Sequence, residues 1–356
     1  MRRVLLIRHA QPALPNGERC CLGRCDLPLS PLGRLQAALL GDALRSDALP
    51  VYTSPLRRAF ETASALSDAP HIVADLQEMS AGEWDGLPFS EIRERWPALY
   101  AARGQDRSIP IPGSEPFADY QRRFVGAVDT LLNEQPGDFA IVAHSAVNQA
   151  LLCHLLRIEP FSDPRVEQPY ASWFELTDDG AGLVPQFPCR TVHPALSDAL
   201  CLTLLRAVPL PEKVVAHCLA VAAEAERIAE ALADAGLCLD RTLLRQAALL
   251  HDLARPEHDH AAVGADWLRS LGYGQIADIV RQHHELEHET LDEAAVVYLA
   301  DKCIREDRRV PLRERFTQSL FKCRGREALA AHERRQAQAL RIAAAVNTHC
   351  KREVIL

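Results

Sequence analysis

The sequence predicts a two-domain protein, with an α/β domain built on a mainly parallel sheet followed by an all-α helical bundle. A length of 356 residues exceeds what one hydrophobic core usually supports. Strand-like and helix-like segments alternate up to about Thr191, and the strand-like segments then disappear. Prolines crowd residues 184–194 and recur at Pro209 and Pro211, which is typical of a linker region. We therefore expect domains at residues 1–194 and 195–356.

Local hydrophobic patterns predict the elements of the first domain. Short apolar runs bounded by charged or turn residues indicate strands, and apolar residues at helical spacing indicate helices. Two further strands flank Asp178-Asp179-Gly180 and predict a closing hairpin. The predicted strands are Val4–Ile7, Val51–Ser54, Ile72–Ala74, Phe139–Ala143, Trp173–Leu176 and Leu183–Phe187, and the predicted helices are Leu32–Leu44, Pro55–Leu66 and Tyr120–Leu132.

The sequence from Glu212 onward predicts a second domain that is almost entirely helical. Ionisable residues lie on the apolar faces of its predicted helices. His217, His251 and Asp301 each fall on the apolar face of a different predicted helix, and Asp252 follows His251 directly. A lone histidine on such a face is more often a satisfied core residue than a ligand. An aspartate there is costly unless it is paired or bound to metal. Three such stripes favour a metal site.

Composition limits the partners and the compartment. The 40 basic and 48 acidic residues give a formal charge of -8, which argues against general nucleic-acid binding. Small anionic ligands held by local arginines remain compatible with this charge. Eleven cysteines without a CxxC pair, and no signal peptide, indicate reduced thiols and a cytoplasmic protein. We expect neither a nucleic-acid nor a membrane partner.

Four segments of the first domain carry residues suited to phosphate chemistry. Arg8 and His9 follow a predicted buried strand, a position where α/β sheets bind ligands. Alone, this pair is more simply a basic residue and a surface histidine that close a strand. The segment 54–63 (SPLRRAFETA) directs Arg58 to the same sheet edge, and another strand ends at His144. Carboxylates in the loop 76–86 (LQEMSAGEWDG) supply candidate proton donors.

These segments resemble the histidine phosphatase superfamily, which includes the cofactor-dependent phosphoglycerate mutases. Arg8-His9 matches its RH motif, segment 54–63 its SxLxRAxxTA motif, and segment 76–86 its LxExxxGxWxG motif. The resemblance implies that His9 forms a phosphohistidine, and that Arg8, Arg58 and His144 bind the phosphate. It assigns the proton donor to Glu78 rather than Glu83. It implies no cofactor for this domain.

Finer features of the first domain favour a phosphatase over a mutase. The segment 22–37 resembles the alpha-ribazole phosphatases, and the spacing from Thr62 to Glu78 is compact, without the lid segments usual in mutases. Ala10, Gln11 and Ser145 depart from the residues common in the superfamily. None of these departures removes a catalytic atom.

The second domain resembles the HD-domain phosphohydrolase superfamily over residues 211–305. Its H…HD…D motif falls on His217, His251-Asp252 and Asp301, and His260, His283 and His284 match further ligands of two-metal members. The resemblance implies one or two divalent ions; imidazole and carboxylate ligands suit iron, manganese, cobalt, nickel or zinc. On one helix, His283 and His284 would point about 100° apart, so both can be ligands only if they serve different metals or the helix is distorted, and His283 is the first choice. The layout is also similar to that of symmetrical dinucleoside tetraphosphate hydrolases. The HHE element at residues 283–285 is similar to that of HD-GYP phosphodiesterases, but no GYP sequence follows it, which argues against a cyclic dinucleotide substrate.

Surrounding residues complete the prediction for the second domain. Arg255, after the HD pair, is expected to meet a substrate phosphate, whereas His258, His288 and His332 are expected at the surface. Residues 325–345 predict a solvated amphipathic helix.

The leading hypothesis is a bifunctional phosphohydrolase of small phosphorylated metabolites or nucleotides. One centre would use phosphohistidine and the other metal-activated water. Two alternatives remain open: an HD module that binds a nucleotide and regulates the phosphatase, and a phosphoglycerate mutase-like enzyme.

Overall fold

A computed structural model describes residues 2–45, 48–160, 162–321 and 323–355. The chain divides into two units, residues 1–194 and 195–356. The first unit holds a six-stranded sheet with helices on its faces. Its strands are β1 (Arg2–Arg8), β2 (Val51–Thr53), β3 (His71–Ile72), β4 (Phe139–Ala143), β5 (Trp173–Asp178) and β6 (Leu183–Arg190), and its helices are α1 (Pro31–Leu44), α2 (Arg57–Leu66), α3 (Phe89–Arg95), α4 (Pro97–Gln105), α5 (Phe117–Glu134) and α6 (Ser145–Leu156).

The sheet order β3-β2-β4-β1-β5-β6 places β1 beside β4 at the centre. The first four strands run parallel, β5 pairs antiparallel with β1, and β6 pairs antiparallel with β5 at the sheet edge. All five residues of β4 are buried, as are Val4–Ile7 of β1, because helices cover both faces. The predicted α/β fold with a mainly parallel sheet is confirmed.

The proline-rich stretch begins inside the sheet rather than in a linker. Pro185 and Pro188 lie within β6, which continues to Arg190. This strand pairs with β5 alone, so its outer edge can accept residues that lack an N–H donor. The expectation of a linker from residue 184 was therefore wrong for residues 184–190.

The second unit is helical apart from a two-stranded hairpin. Helix α12 lies at its centre, because every residue from Ala294 to Cys303 is buried. The predicted helical bundle is confirmed. Its helices are α7 (Asp198–Ala207), α8 (Glu212–Asp234), α9 (Arg241–Leu250), α10 (His260–Ser270), α11 (Gly274–Arg281), α12 (Glu293–Cys303), α13 (Leu312–Leu320) and α14 (Arg326–Cys350), and the hairpin comprises β7 (Ile304–Arg305) and β8 (Arg308–Arg309).

Within the described ranges, no helix combines the length and apolar character needed to cross a membrane. All eleven cysteines are free thiols.

Candidate active sites

His9 and His144 lie side by side at the carboxyl edge of the N-terminal sheet. Arg8 at the end of β1 pairs with Ala143 at the end of β4, so the residue after each strand enters the same space. The backbone N–H of His9 donates to the Ala143 carbonyl at 3.0 Å. The two imidazole ring centres are 5.0 Å apart. Parallel pairing thus joins residues that are far apart in the chain.

The His9 imidazole is buried and held in one orientation. Its Nδ1 lies 2.7 Å from the Ala10 carbonyl oxygen, to which only a protonated nitrogen can donate. Its Nε2 accepts from Nε of Arg58 at 3.2 Å. Burial, together with the charges of Arg58 and Arg8, holds the pKa of His9 well below its usual value. The ring is therefore neutral at pH 7, with the Nε2 lone pair directed toward Arg58.

Of the adjacent residues Arg57 and Arg58, it is Arg58 whose side chain enters the site. It is 1% exposed, and its terminal nitrogens donate to the carbonyls of Gly23 and Cys25 at 2.7 Å each. The neighbouring Arg57 is exposed and forms an ion pair with Glu61 at 3.3 Å. The adjacent residues separate because positions one apart on a helix point in different directions.

Arg8 stacks on a ring that sequence analysis missed. Its guanidinium lies 4.0 Å from the ring centre of Tyr170, and Nη1 donates to the Gln168 carbonyl at 2.5 Å. Its Nε is buried without a hydrogen-bond partner within the described ranges. The Tyr170 ring also lies 5.6 Å from the His9 ring. Nothing in the local sequence around Tyr170 signals these contacts, which arise from the loop before β5.

The side chain of Glu78 lies at the N-terminal end of helix α6. Its carboxylate accepts from the backbone N–H groups of Met79 at 2.9 Å, Ala146 at 3.1 Å and Val147 at 3.3 Å. Burial raises the pKa of Glu78, although these bonds and the nearby arginines oppose the rise. Glu83, the other carboxylate of the segment, is exposed.

His144 completes the cluster. Its Nε2 contacts the Ser54 hydroxyl at 2.7 Å, while its Nδ1 is buried and lacks a hydrogen-bond partner within the described chain. Burial, Arg58 and His9 hold the pKa of His144 well below its usual value. Two arginines, two neutral imidazoles and a carboxyl group with a raised pKa suit the binding and transfer of a phosphoryl group.

The cluster opens to solvent through a pocket. A small cavity of about 180 Å³ contacts His9, and one of about 550 Å³ shares several lining residues with it. Arg19 and Arg103 line this space and were not predicted. Residues that line both cavities are Arg8, Arg19, Cys20, Leu22, Glu78, Phe89 and Ser145.

The predicted ligand residues of the second unit also converge. They form two groups, and within each group the candidate ligand atoms lie within 4.8 Å of one another. Asp301 adjoins the first group, with Oδ1 3.1 Å from Nε2 of His217 and 3.8 Å from Nε2 of His251. The first group is His217, His251 and Asp252, and the second is His260, His283 and His284.

The Asp252 carboxylate belongs to the first group and also faces the second. Its Oδ2 is 3.7 Å from Nε2 of His251, whereas its Oδ1 is 3.2 Å from Nε2 of His260 and 3.7 Å from Nε2 of His283. One carboxylate therefore faces both groups, and it would help to hold a divalent cation at either of them.

Backbone contacts orient three of the imidazoles. Nδ1 of His217, His251 and His283 each lies 2.7 to 2.8 Å from a backbone carbonyl oxygen. In His251 and His283 this contact leaves Nε2 available as a ligand atom, whereas Nε2 of His217 lies 3.1 Å from Oδ1 of Asp301. In His251 and His283, Nε2 is buried and has no hydrogen-bond partner in the described part of the chain. Buried imidazole nitrogens rarely stay unpartnered, so these orphaned atoms fit a metal ion.

His283 and His284 do not share a helix, contrary to the expectation. Helix α11 ends at Arg281, and the two histidines lie in the bend that follows. Their ring centres are 4.2 Å apart, and the His284 ring lies 4.6 Å from that of His260. The end of the helix removes the 100° constraint, so both rings join the same group.

The charges of Asp301 and His284 match a metal site, whereas the hydrogen bond and charge of Asp301 outweigh burial and raise the pKa of His217. Burial by itself would raise the pKa of Asp301. The charge of Lys302 and the hydrogen bond from His217 outweigh burial and hold this pKa well below its usual value. The Lys302 ammonium lies 2.6 Å from Asp301 Oδ2. Burial and Lys302 lower the pKa of His284 to about 3. Anionic carboxylates and neutral imidazoles are the states that bind metal.

A cavity of about 840 Å³ adjoins this cluster. His217, Asp252, His284 and Asp301 line it, as does Arg255, whose Nη1 lies 3.3 Å from Asp252 Oδ1.

The expectation for the three remaining histidines holds in part. His258 and His288 are exposed. His332 was expected at the surface but is 9% exposed and lines the cavity, because α14 packs this face inward.

Two family models match this chain, one within each of the two structural units. The family model described as "Histidine phosphatase superfamily (branch 1)" matches residues 4–186, and the "HD domain" model matches residues 214–306. HD domains generally bind divalent metals.

Individual relatives match about half of the chain. A protein of Hydrogenobacter thermophilus named as a phosphoserine phosphatase is 32% identical over 164 residues, which cover 44% of this chain and 80% of that protein. A glucosyl-3-phosphoglycerate phosphatase of Mycolicibacterium vanbaalenii is 30% identical over 190 residues, 49% of this chain and 84% of that protein. The solved structure of Bacillus stearothermophilus YhfR is 28% identical, covers 52% of this chain and 95% of its own, and has a TM-score of 0.48. Against several other curated relatives, the chain spans less than half of their length.

Proposed function

This chain belongs to the histidine phosphatase superfamily and is a phosphate-ester hydrolase, and we propose that its first unit cleaves phosphomonoesters through a phosphohistidine at His9. One observation carries the proposal. A buried neutral imidazole presents Nε2 to Arg58 and feels the charge of Arg8, with a carboxyl group of raised pKa on the same sheet edge. A nucleophile, a phosphate clamp and a proton donor are the groups that the reaction requires.

In the first step, Nε2 of His9 attacks phosphorus in line with the leaving oxygen. The new P–N bond forms as the P–O bond to the alcohol breaks, and Glu78 donates its proton to the departing alkoxide. Arg58, which donates to Nε2 in the free protein, transfers that hydrogen bond to a phosphoryl oxygen. Arg8 and His144 stabilise the remaining charge.

In the second step, water attacks the phosphohistidine. The Glu78 carboxylate accepts a proton from the water, the P–N bond breaks, and orthophosphate leaves with His9 restored. The net reaction is hydrolysis of the ester.

Phosphohistidine hydrolyses in acid, so the intermediate is detected by quenching the reaction with alkali after brief exposure of the protein to a ³²P-labelled phosphomonoester. We expect label on the wild type and on His154→Ala, whose histidine is exposed, and none on His9→Ala. Label on His9→Ala would exclude the assignment. Phosphate exchange with 3-phosphoglycerate separates a phosphatase, which releases orthophosphate, from a mutase.

For the second unit, we propose hydrolysis of a nucleotide or other phosphate ester with one or two divalent metals. The orphaned Nε2 atoms of His251 and His283 and the Asp252 carboxylate, which faces both ligand groups, support it. A bound divalent metal lowers the pKa of a water ligand to about 7 and stabilises charge on phosphoryl oxygens. Asp301, held by Lys302, would orient ligands of the first group, and Arg255 would meet the substrate phosphate.

Metal analysis with an ester screen tests this second activity. We expect His9→Ala to retain a metal-dependent activity that Asp252→Ala lacks, and Asp252→Ala to retain the metal-independent one. If Asp252→Ala instead changes the His9-dependent activity and no separate hydrolysis exists, the second unit is a regulatory module.

A further inference from the structure

The cavity beside the ligand cluster has a wall that lies outside the matched HD segment. Helices α13 and α14 follow residue 306, where the match ends. They contribute more than a third of the residues that line the cavity. These include Arg315, Phe316 and Ser319 from α13, and Ala331, His332 and Arg335 from α14.

Two arginines of this wall, Arg315 and Arg335, form no ion pair with an acidic side chain among the residues that the structure describes. The Nε atoms of Arg315 and Arg335 are buried, and neither forms a hydrogen bond in the described residues. Their neighbours differ: on the same helix as Arg335, Arg341 forms an ion pair with Glu289. Both side chains line the cavity, so an anion bound there can pair with guanidinium groups whose charge no carboxylate of the described residues offsets.

The cavity as a whole has an excess of positive charge. Its acidic lining residues are Asp252 and Asp301, which belong to the ligand cluster, and Glu306. Lys302 is already engaged with Asp301, and Arg255 with Asp252. The remaining basic groups are therefore not neutralised by the cluster carboxylates. The basic lining residues are Lys213, Arg255, Lys302, Arg305, Arg315 and Arg335.

Hydrogen bonds hold the arginine wall against the metal-binding elements. The Tyr298 hydroxyl on α12 donates to the Arg335 carbonyl at 2.8 Å. The Gln338 side chain exchanges two bonds of 3.1 Å with the backbone of Leu286, two residues after His284. Helix α14, which carries Arg335, is thus anchored both to the helix that carries Asp301 and to the bend that carries His284.

A pair of histidine contacts joins the two wall helices. Nε2 of His332 lies 2.9 Å from the Ser319 hydroxyl and 3.1 Å from the Phe316 carbonyl. The Phe316 ring packs 5.5 Å from the His332 ring. These contacts fix α13, and with it Arg315, relative to α14.

We infer that Arg315 and Arg335 form a second phosphate subsite, so that this cavity takes a nucleotide-sized molecule bearing two separate phosphates. One phosphate lies at the ligand cluster and the other at the arginines. Guanidinium groups match phosphate oxygens in geometry as well as charge. The volume of about 840 Å³ suits a molecule of this size and far exceeds what one orthophosphate fills. The inference rests on the proposed metal site and names its substrate class.

Binding measurements on the full-length, metal-loaded protein test the subsite. All variants carry His9→Ala, which removes catalysis at the first centre. Titration gives the Kd of adenosine 3′,5′-bisphosphate and the Kd of AMP, and KM replaces Kd for a probe that the protein hydrolyses. Because the first centre is the same in every variant, differences between variants report on the cavity. We expect the bisphosphate to bind at least about tenfold tighter than AMP.

Arg315→Met and Arg335→Met should each reduce this preference by about tenfold or more, with metal content and Tm unchanged. The matched controls Arg313→Met and Arg326→Met change exposed arginines of the same helices that do not line the cavity, and should keep it. Equal binding of the two probes, or a preference that survives both cavity substitutions, would overturn the inference. A protein that binds no metal, measured separately, would instead refute the proposed metal site.

Discussion

Replacing Glu78 with glutamine removes a proton donor while keeping the shape of the side chain. In the wild type, Oε1 accepts from Met79 and Val147, and Oε2 accepts from Ala146 at 3.1 Å. A glutamine has one acceptor oxygen, so its amide NH2 must face at least one backbone N–H. One unmade bond of this kind costs about 1 to 3 kcal/mol in the free energy of unfolding.

The catalytic loss should exceed this structural cost for esters with poor leaving groups. A positioned general acid contributes about 10² to 10⁴ in rate, so Glu78→Gln should lower kcat for alkyl phosphates by that factor. For p-nitrophenyl phosphate, whose leaving group departs without a proton, we expect a loss of less than about tenfold. KM should change little, because Arg8, Arg58 and His144 bind the phosphate.

The pH dependence follows from the raised pKa of Glu78. Protonated Glu78 is the active form for ester cleavage, so kcat for an alkyl phosphate should fall as pH rises through that pKa. This falling limb should be absent in Glu78→Gln, since glutamine does not titrate.

Steady-state kinetics of both esters from pH 5 to 9 provide the assay, with Glu83→Gln as the control, because Glu83 is an exposed carboxylate of the same segment. Equal losses for alkyl and aryl esters in Glu78→Gln would refute the assignment of the proton donor. So would a falling limb that persists in that variant.

Three further predictions concern other groups. Because Asp252 faces both ligand groups, Asp252→Ala should lose at least half of the bound metal by mass spectrometry after dialysis, whereas Asp266→Ala, at an exposed carboxylate, should lose none. Tyr170→Ala removes a cation–π contact worth about 0.5 to 2 kcal/mol and should raise KM for phosphomonoesters about 2- to 30-fold, with the smaller change in kcat. The folded-state pKa of His144 is depressed, so the unfolded state binds more protons below about pH 6.5 and the urea midpoint should fall as pH drops from 7 to 5. A His144→Asn variant should show a shallower fall, and an identical slope would contradict this contribution.

Much of the fold follows from local patterns. The strand Phe139–Ala143 has the predicted bounds, and the core of β1 coincides with the apolar run Val4–Ile7. These segments are predictable because burial on both faces of a parallel sheet demands uninterrupted apolar residues. The structure also brings together all thirteen predicted site residues, in two separate clusters.

The errors share a cause. Pro185 and Pro188 indicate a linker by composition, yet they lie in an edge strand, and His332 lies on a largely polar helix, yet it faces a cavity. The bend that carries His283 and His284 begins where α11 stops, at Arg281. Each outcome depends on which element packs alongside, and composition of a single segment contains no such information.

The sequence by itself determined the fold class, the order of the two units and the set of candidate site residues, because apolar periodicity and motif spacing are local properties. Tertiary structure decided which groups surround them. Tyr170 meets Arg8, and Arg335 approaches the ligand cluster, through packing between segments that are distant in the chain. Burial and neighbouring charge then set the protonation of His9 and Glu78, and neither quantity exists until the chain has folded.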